Sequence, residues 1–408
     1  MGQVLAGGEQ FETHIEADHR GRVLQSGPDS GMVDAFGRQR FSAPFTLFDS
    51  MLVLSKRTDQ WNETLVGSGT VNYLVNESSL ELKTTTASGD TALRRTRRHF
   101  PYQPGKSILI MQSFAGNAPM AGLVQEVGYF NDVNGVMLRV NGTDVQFVIR
   151  SNTTGSVQEN VVSQASWNID TFGALDISKA QILVFDLEWL GVGRVRMGFV
   201  VDGEIRYCHE FNHANVISSV YMRTALLNLS YRLHNSSSIA SPAVLKQICS
   251  TIISEGGYEP SGPIYSAAPA LGTLGNISNE QLVAAIRMAS GRTDNLIMPA
   301  QVDAAIEGNT IGRWRLRRDV TLSGASWTAS VNGRGNVEVT TVGTLVTSGV
   351  TEFSGLIGGG SSQDFSPNEA IQLALGMDSA GNSEILALTI EATSATKGTA
   401  MLGWRELV

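Results

Sequence analysis

The chain has 408 residues, 43 of them Gly, with charged residues at 17% and a formal net charge of −8. That length suits two domains, and the sparse, net-acidic charge argues against a general nucleic-acid binder, which neutralises phosphates with clustered Lys and Arg. Its two cysteines, Cys208 and Cys249, are too few for a disulfide scaffold or a zinc site and read as reduced, packed thiols.

Residues 1–44 carry no sustained periodicity and read as an extended arm. Phe36, Phe41 and Phe45 are spaced to dock in the grooves of a neighbouring subunit, which makes them assembly candidates. The opening MGQVLAGGEQFETH lacks the apolar core of a signal peptide, Gly2 is a poor myristoylation match, and no run approaches transmembrane length. Asn62, Asn76 and Asn141 fit the glycosylation pattern, which means little without a secretion signal.

Residues 45–258 read as a first domain built of strands. Candidates are Thr70–Val75, Leu80–Thr85, Ser107–Phe114, Val124–Phe130, Val136–Val140, Asp144–Arg150, Ser218–Arg223, Leu226–His234 and Leu245–Ser254, with a hairpin signal at Asn141-Gly142. Between them, Gln181–Phe211 alternates apolar and polar residues as a three-stranded meander with one buried and one wet face. A two-residue turn at Asp202-Gly203 would set Phe199 against Arg206, an apolar face against a polar one. A three-residue loop, Val201-Asp202-Gly203 with Gly203 left-handed, pairs Phe199 with Ile205, Met197 with Tyr207 and Arg194 with Glu210. It predicts Val195, Met197, Phe199, Ile205, Tyr207 and His209 on one core face, with Cys208 on the polar side. In the first hairpin, a loop of Leu190-Gly191-Val192 pairs Leu187 with Val195, Glu188 with Arg194 and Asp186 with Arg196.

Residues 259–294 read as a linker carrying one helix, capped by Ser278 with Gln281 closing a capping box and ended by Gly291. Residues 295–408 return to β, with strands at 312–318, 326–331, 336–341, 345–349, 371–377, 384–392 and 399–406 and a glycine-rich loop over Gly355–Ser362. The fold class is all-β: an antiparallel β-sandwich followed by a second, smaller β-sandwich domain, with the extended arm in front.

The candidate chemistry is thin. Asp186 and Glu188 sit ~7 Å apart on one strand face and could form a glycosidase dyad. The cross-strand arginines favour ion pairs of a few tenths to ~1 kcal/mol instead. Cys208, His209, Glu210 and His213 do not converge on a metal, because alternation splits Cys208 from His209. No Walker, HExxH or Gly-x-Ser-x-Gly sequence occurs, so no catalytic residue, metal or cofactor is assigned. The basic run Arg94, Arg95, Arg97, Arg98 supplies further assembly candidates. It also reads as a strand whose arginines are wet or paired with nearby carboxylates, and Arg313–Arg318 reads likewise, with Trp314 and Leu316 facing a core. Trp61, Trp167 and Tyr102 would make a sugar-stacking platform if they met.

The strand order resembles concanavalin-like lectin and laminin-G jelly rolls. The chain also resembles virion-associated structural proteins of tailed bacteriophages and other large DNA viruses, of the capsid decoration, neck, baseplate or fibre type. The resemblance is carried by DAFGRQRFSAPFTLFDS (34–50), RRHFPYQPGKS (97–107), GYFNDVNGV (128–136), FDLEWLGVGRVRMGFVVDG (185–203), YCHEF (207–211), ISEGGYE (253–259), LSGASWTASV and the closing LGWRE. It implies a non-enzymatic particle component, made in the host cytoplasm and residing in the virion. The implied partners are other copies of the chain (a trimer being one option) and other virion proteins, with no membrane or nucleic-acid role. A host-glycan-binding module and a glycan-degrading enzyme are the other two readings a sandwich accommodates.

Overall fold

The computed structural model describes residues 43–407, apart from 293–294, 331–334, 348, 359 and 379, together with a two-stranded ribbon at Glu16–Ala17 and Val23–Leu24. The fold is all-β and antiparallel throughout these pairings. A seven-stranded sheet runs Gln158–Ser163, Asp144–Ser151, Gly135–Asn141, Leu123–Phe130, Leu229–Asn235, Thr91–Thr96, Trp61–Val66. An eight-stranded sheet runs Glu204–Phe211, Val195–Val201, Ala180–Leu187, Ile108–Ala115, Ala243–Ser254, Ser79–Thr84, Thr70–Leu74, with Phe45–Met51 added on Ala243–Ser254. Alternate residues of both sheets (Tyr129, Phe147 and Tyr231 against Phe114, Phe185 and Phe199) bury a common core. This is the sandwich the period-two pattern predicts.

The first hairpin of the meander takes the expected register, with Leu187 opposite Val195 and Asp186 opposite Arg196. The second does not. Asp202 and Gly203, at φ 52° and 85°, form a two-residue turn that sets Val201 against Glu204 and Phe199 against Arg206. Parity is restored halfway along the hairpin. A register shift at Met197/Gly198 leaves Cys208 as the extra residue, so that Met197 faces His209 and Val195 faces Phe211. Gly198 permits the bulge, since a Cβ there would collide with the Arg206 carbonyl. Cys208 therefore lies in the main core, while Ile205 and Tyr207 pack on the opposite face with Leu109 and Val184. One-wet-face parity does not hold here, because this strand is apolar on both faces.

The second half has a four-stranded sheet (Ile264–Ala267, Gly398–Leu407, Leu296–Ile306, Gly360–Asp364) facing a six-stranded one (Thr328–Ala329, Val337–Thr340, Gln281–Met288, Leu386–Ala392, Gly312–Arg318, Val350–Ile357). Their core holds Ile286, Val302, Trp314, Leu316 and Trp404. The helix expected at 278–291 is a strand. Gln281–Met288 buries Val283 and Ile286 in this core and Leu282 and Ala285 in a second cluster with Val320 and Ala387, so both its faces are covered. Ser278 and Gln281 bond to Asn276 and to the Gly275 and Asn276 carbonyls, shaping a turn rather than a cap. The α-helix of the described residues is Pro367–Gln372. Ser366 and Glu369 make its capping box, with Pro367 at its first position. Ser218–Arg223, expected as a strand, is bend and irregular chain, and the expected strand at 371–377 is the end of this helix followed by irregular chain.

The two halves interlock. Leu296, Met298, Ala370, Ile371 and Ala374 from the second half pack into the first core. Arg97 reaches Asp319 at 3.1 Å and also pairs with Glu384. Arg98 donates to the Ile371 carbonyl at 2.5 Å. Glu384, side chain 1% exposed, also pairs with Arg318 and accepts from the Gly376 amide at 2.8 Å.

Candidate functional site

Carboxylates on the outer faces of the first sandwich are held by arginines. Glu126 is met by Arg139 at 2.9 Å, Arg150 at 3.1 Å and Arg232 at 3.2 Å. Glu159 is met by Arg139 at 2.6 Å and Arg150 at 2.9 Å. These bonds, led by the one from Arg139, hold Glu159 down at about 2. The pairs surround the apolar island Phe130, Met137 and Val148, with Arg150 lying over the Phe130 ring. On the other sheet Asp186, fully buried, pairs with Arg196 and accepts from Tyr207 Oη at 3.0 Å. The expected neighbour Arg194 bonds Glu210 at 3.2 Å, and its carbonyl accepts the Glu188 amide.

The basic run is spent within the chain. Arg94 is buried over the Trp61 ring and pairs with Glu63 at 2.6 Å, and Arg95 pairs with Asp132 at 2.8 Å. Arg97 and Arg98 join the halves as described. Burial, reinforced by nearby Arg318, pulls Arg98 down to about 10. Arg98 and Arg318 line a cleft of about 360 Å³ between the halves, together with Arg57, Asp59, Glu352 and Glu384. Its chemistry is that of a lock, because Arg57 holds Asp59 while Glu352 and Glu384 hold Arg318. Phe45 opens a core strand, with its ring 5.4 Å from Tyr258. Phe36 and Phe41 lie outside the described residues.

His209 and His213 are both pushed below the usual imidazole value by burial. His209 accepts the Asn168 amide at 3.1 Å, and His213 stacks on Tyr221 at 4.0 Å. Among the described residues no group of three or more His, Cys, Asp or Glu gathers for a metal. Cys208 is buried, which pushes its thiol up to about 12, whereas Cys249, expected to be packed, is exposed beside the register shift of its strand.

The aromatic platform expected from Trp61, Trp167 and Tyr102 does not form. Trp61 packs in the core against Phe48, and Trp167 stacks on Phe147 at 4.3 Å. Tyr102 meets Trp189 instead, edge to face at 6.0 Å. This pair lines a groove of about 810 Å³ between the segment 101–106, residues 223–226, the crossing 258–263 and the end of the last strand. Both rings are half-buried and fixed from behind. Trp189 Nε1 donates to the Met222 carbonyl at 2.9 Å. Tyr102 Oη donates to the buried carboxylate of Glu188 and accepts the Leu190 amide at 3.2 Å. Burial, followed by the bond to Glu188, raises Tyr102 well above the usual phenol value. Across the groove, Gln103 bonds both backbone groups of Glu259, at 2.5 and 3.1 Å, and Lys106 caps Gln103 at 3.0 Å and the Gly257 carbonyl at 3.3 Å. Prolines 101, 104, 260 and 263 stiffen the rims. The site thus offers two oriented aromatic surfaces, rigid walls and a polar edge. The expected platform included Tyr102, with partners it does not meet, and did not include Trp189. The paired Pro-x-x-Pro spacings at 101–104 and 260–263 were the available signal.

No family model matches the chain, and no curated protein matches it. Among solved structures, it is similar to a glycosyl hydrolase family protein from Mycobacterium fortuitum, at 10% identity and a TM-score of 0.37, over 51% of this chain and 99% of that one. The CBM2 module of the evolved Dit of Lactobacillus casei BL23 phage J-1 matches at 8% identity and 0.36, over 53% and 98%. The carbohydrate recognition domain of Emp47p matches at 9% and 0.35, over 52% and 96%. None of these likenesses bears on the chemistry of this chain.

Proposed function

We propose that the chain is a non-catalytic glycan-binding protein that works as a component of a virus particle. The observation that carries the first part is the groove, where the Tyr102–Trp189 pair is held rigid from behind and faces a polar edge. Aromatic faces bury the apolar C–H surface of a pyranose while edge groups hydrogen-bond its hydroxyls. Glu159 is held down at about 2 by Arg139 and Arg150, which favour its ionised form; a general acid needs the opposite environment. This supports binding over hydrolysis. The particle role rests on the sequence resemblance, with assembly through copies of this chain.

Titrating glycans against the tryptophan fluorescence of the full chain tests the binding role. A W189A variant should lose binding, and wild-type affinity in W189A would sink the reading. Light scattering of the purified protein checks self-association, and mass spectrometry of purified particles checks residence in the virion.

A further inference from the structure

All but one of the described arginines of the first half are compensated, and the exception lies at the groove. Every other arginine described in residues 43–258 bonds a carboxylate or a carbonyl: Arg57, Arg94, Arg95, Arg97, Arg98, Arg139, Arg150, Arg194, Arg196, Arg206 and Arg232. Arg223 does not. It is exposed and lines the groove, and among the described residues its guanidinium has no acceptor. Its place is nonetheless fixed. Its amide donates to Asn134 Oδ1 at 3.2 Å, and the carbonyl of Met222, the residue before it, holds the Trp189 indole. The free fork therefore springs from the backbone that carries the stacking ring. Lys106, on the same groove, is bonded among the described residues only to the neutral Gln103 amide and Gly257 carbonyl. Two groove carboxylates oppose these cations. Glu406 is turned away, 1% exposed and bonded to Trp404 Nε1 at 3.1 Å and Asn336 at 3.3 Å. Glu259 is exposed, and its backbone is clamped by Gln103.

Resting on the glycan-binding reading, we infer that the groove takes an acidic glycan, with Arg223 gripping the anionic substituent of a sugar whose ring packs on Trp189. A guanidinium presents paired donors matched to a carboxylate, sulfate or phosphate. Arg223 presents such a pair of donors to the groove. Lys106 adds a second positive charge to the field on the bound anion, and Glu259 disfavours a second anion on the opposite rim, so one charged group per bound segment is expected.

The test uses the full chain on a glycan array carrying matched neutral, carboxylated, sulfated and phosphorylated members. Hits are then titrated by calorimetry against wild type, R223A, R223K and W189A, with W189F and Y102F as milder changes should W189A fail to fold. The expected result is a preference of at least tenfold for the anionic member of a matched pair. R223A should lose that preference, R223K should recover it in part, and added salt should weaken only the anionic member. Preference for the carboxylated arm assigns a uronic- or sialic-type sugar; preference for the sulfated or phosphorylated arm assigns an ester. Either supports the inference. Equal binding of neutral and anionic members, unchanged in R223A but lost in the aromatic variants, overturns it and leaves the glycan role standing. Absence of binding to every member, or binding indifferent to Trp189 and Tyr102, overturns both.

Discussion

Replacing Asp186 by Asn separates the two roles a carboxylate on this sheet can have. Asp186 and Arg196 are both fully buried and paired, and the Arg196 guanidinium lies 4.2 Å from the Tyr207 ring centre. An exposed pair of this kind contributes at most ~1 kcal/mol. A dry one behaves differently, because removing one partner strands the other charge in the protein, at a cost of ~3–5 kcal/mol. Against a total stability of ~5–15 kcal/mol for a typical domain, that is a large fraction. Tyr207 Oη, now 3.0 Å from Asp186, can still donate to the Asn oxygen, which places the expected loss at the lower end, ~3 kcal/mol. Urea unfolding followed by tryptophan fluorescence measures it. The D186N/R196M double variant should be more stable than D186N alone, because the stranded charge is gone. Glycan binding through the groove should be unchanged in D186N. A loss under ~1 kcal/mol, or a double variant less stable than the single one, would refute the view of Asp186 as half of a dry ion pair. Loss of a glycan-cleaving activity in D186N would restore the catalytic reading.

Glu159 is held at about 2, below its ordinary value of 4.5, so the stability it contributes is present above pH ~4.5 and is lost as the pH falls toward 2. Acid titration of E159Q should show a shallower loss over that window than wild type, and an identical acid limb would count against the Arg139–Glu159–Arg150 bridge. With Cys208 buried and Cys249 exposed, Ellman's reagent should titrate one thiol in the native protein and two in denaturant; two rapid native thiols would contradict the bulged register. G198A should destabilise the fold by ~1–3 kcal/mol in urea melts, because its Cβ meets the Arg206 backbone; a neutral effect would mean the hairpin pairs without the bulge.

Short-range patterns were legible in the sequence wherever one physical rule governed. Alternation located the meander, and loop length fixed the first hairpin, down to Asp186 against Arg196. Errors came where tertiary burial outweighed local rules. The parity of Val195–Phe211 reads correctly only if one face is wet, and packing of Ile205 and Tyr207 on Leu109 and Val184 removes that condition. Gln281–Met288 contains good helix formers, yet it is extended because neighbouring strands cover both its faces. A capping box did exist, at Ser366–Glu369, between the expected glycine-rich loop and the expected strand at 371–377. The groove was less accessible still. It joins residues near 102, 189, 223 and 259, and apart from the paired Pro-x-x-Pro spacings at its rims nothing in the sequence announces that they meet.

The knot of Arg97, Arg98, Arg318 and Glu384 bears on how the chain is made. A ribosome delivers Arg97 and Arg98 long before Ile371 and Glu384, the groups that satisfy them. Until then Arg97 and Arg98 stay hydrated on an open flank, beside an uncovered seat for Ile371 and Ala374. The first sandwich can pair its strands early but cannot close this flank, so an apolar slot stays open to chaperones or to other nascent chains until synthesis ends. A chain cut near residue 258 would be left permanently in that state. Soluble fragments are therefore better sought by keeping 367–384 with the first sandwich than by cutting at the boundary between the halves.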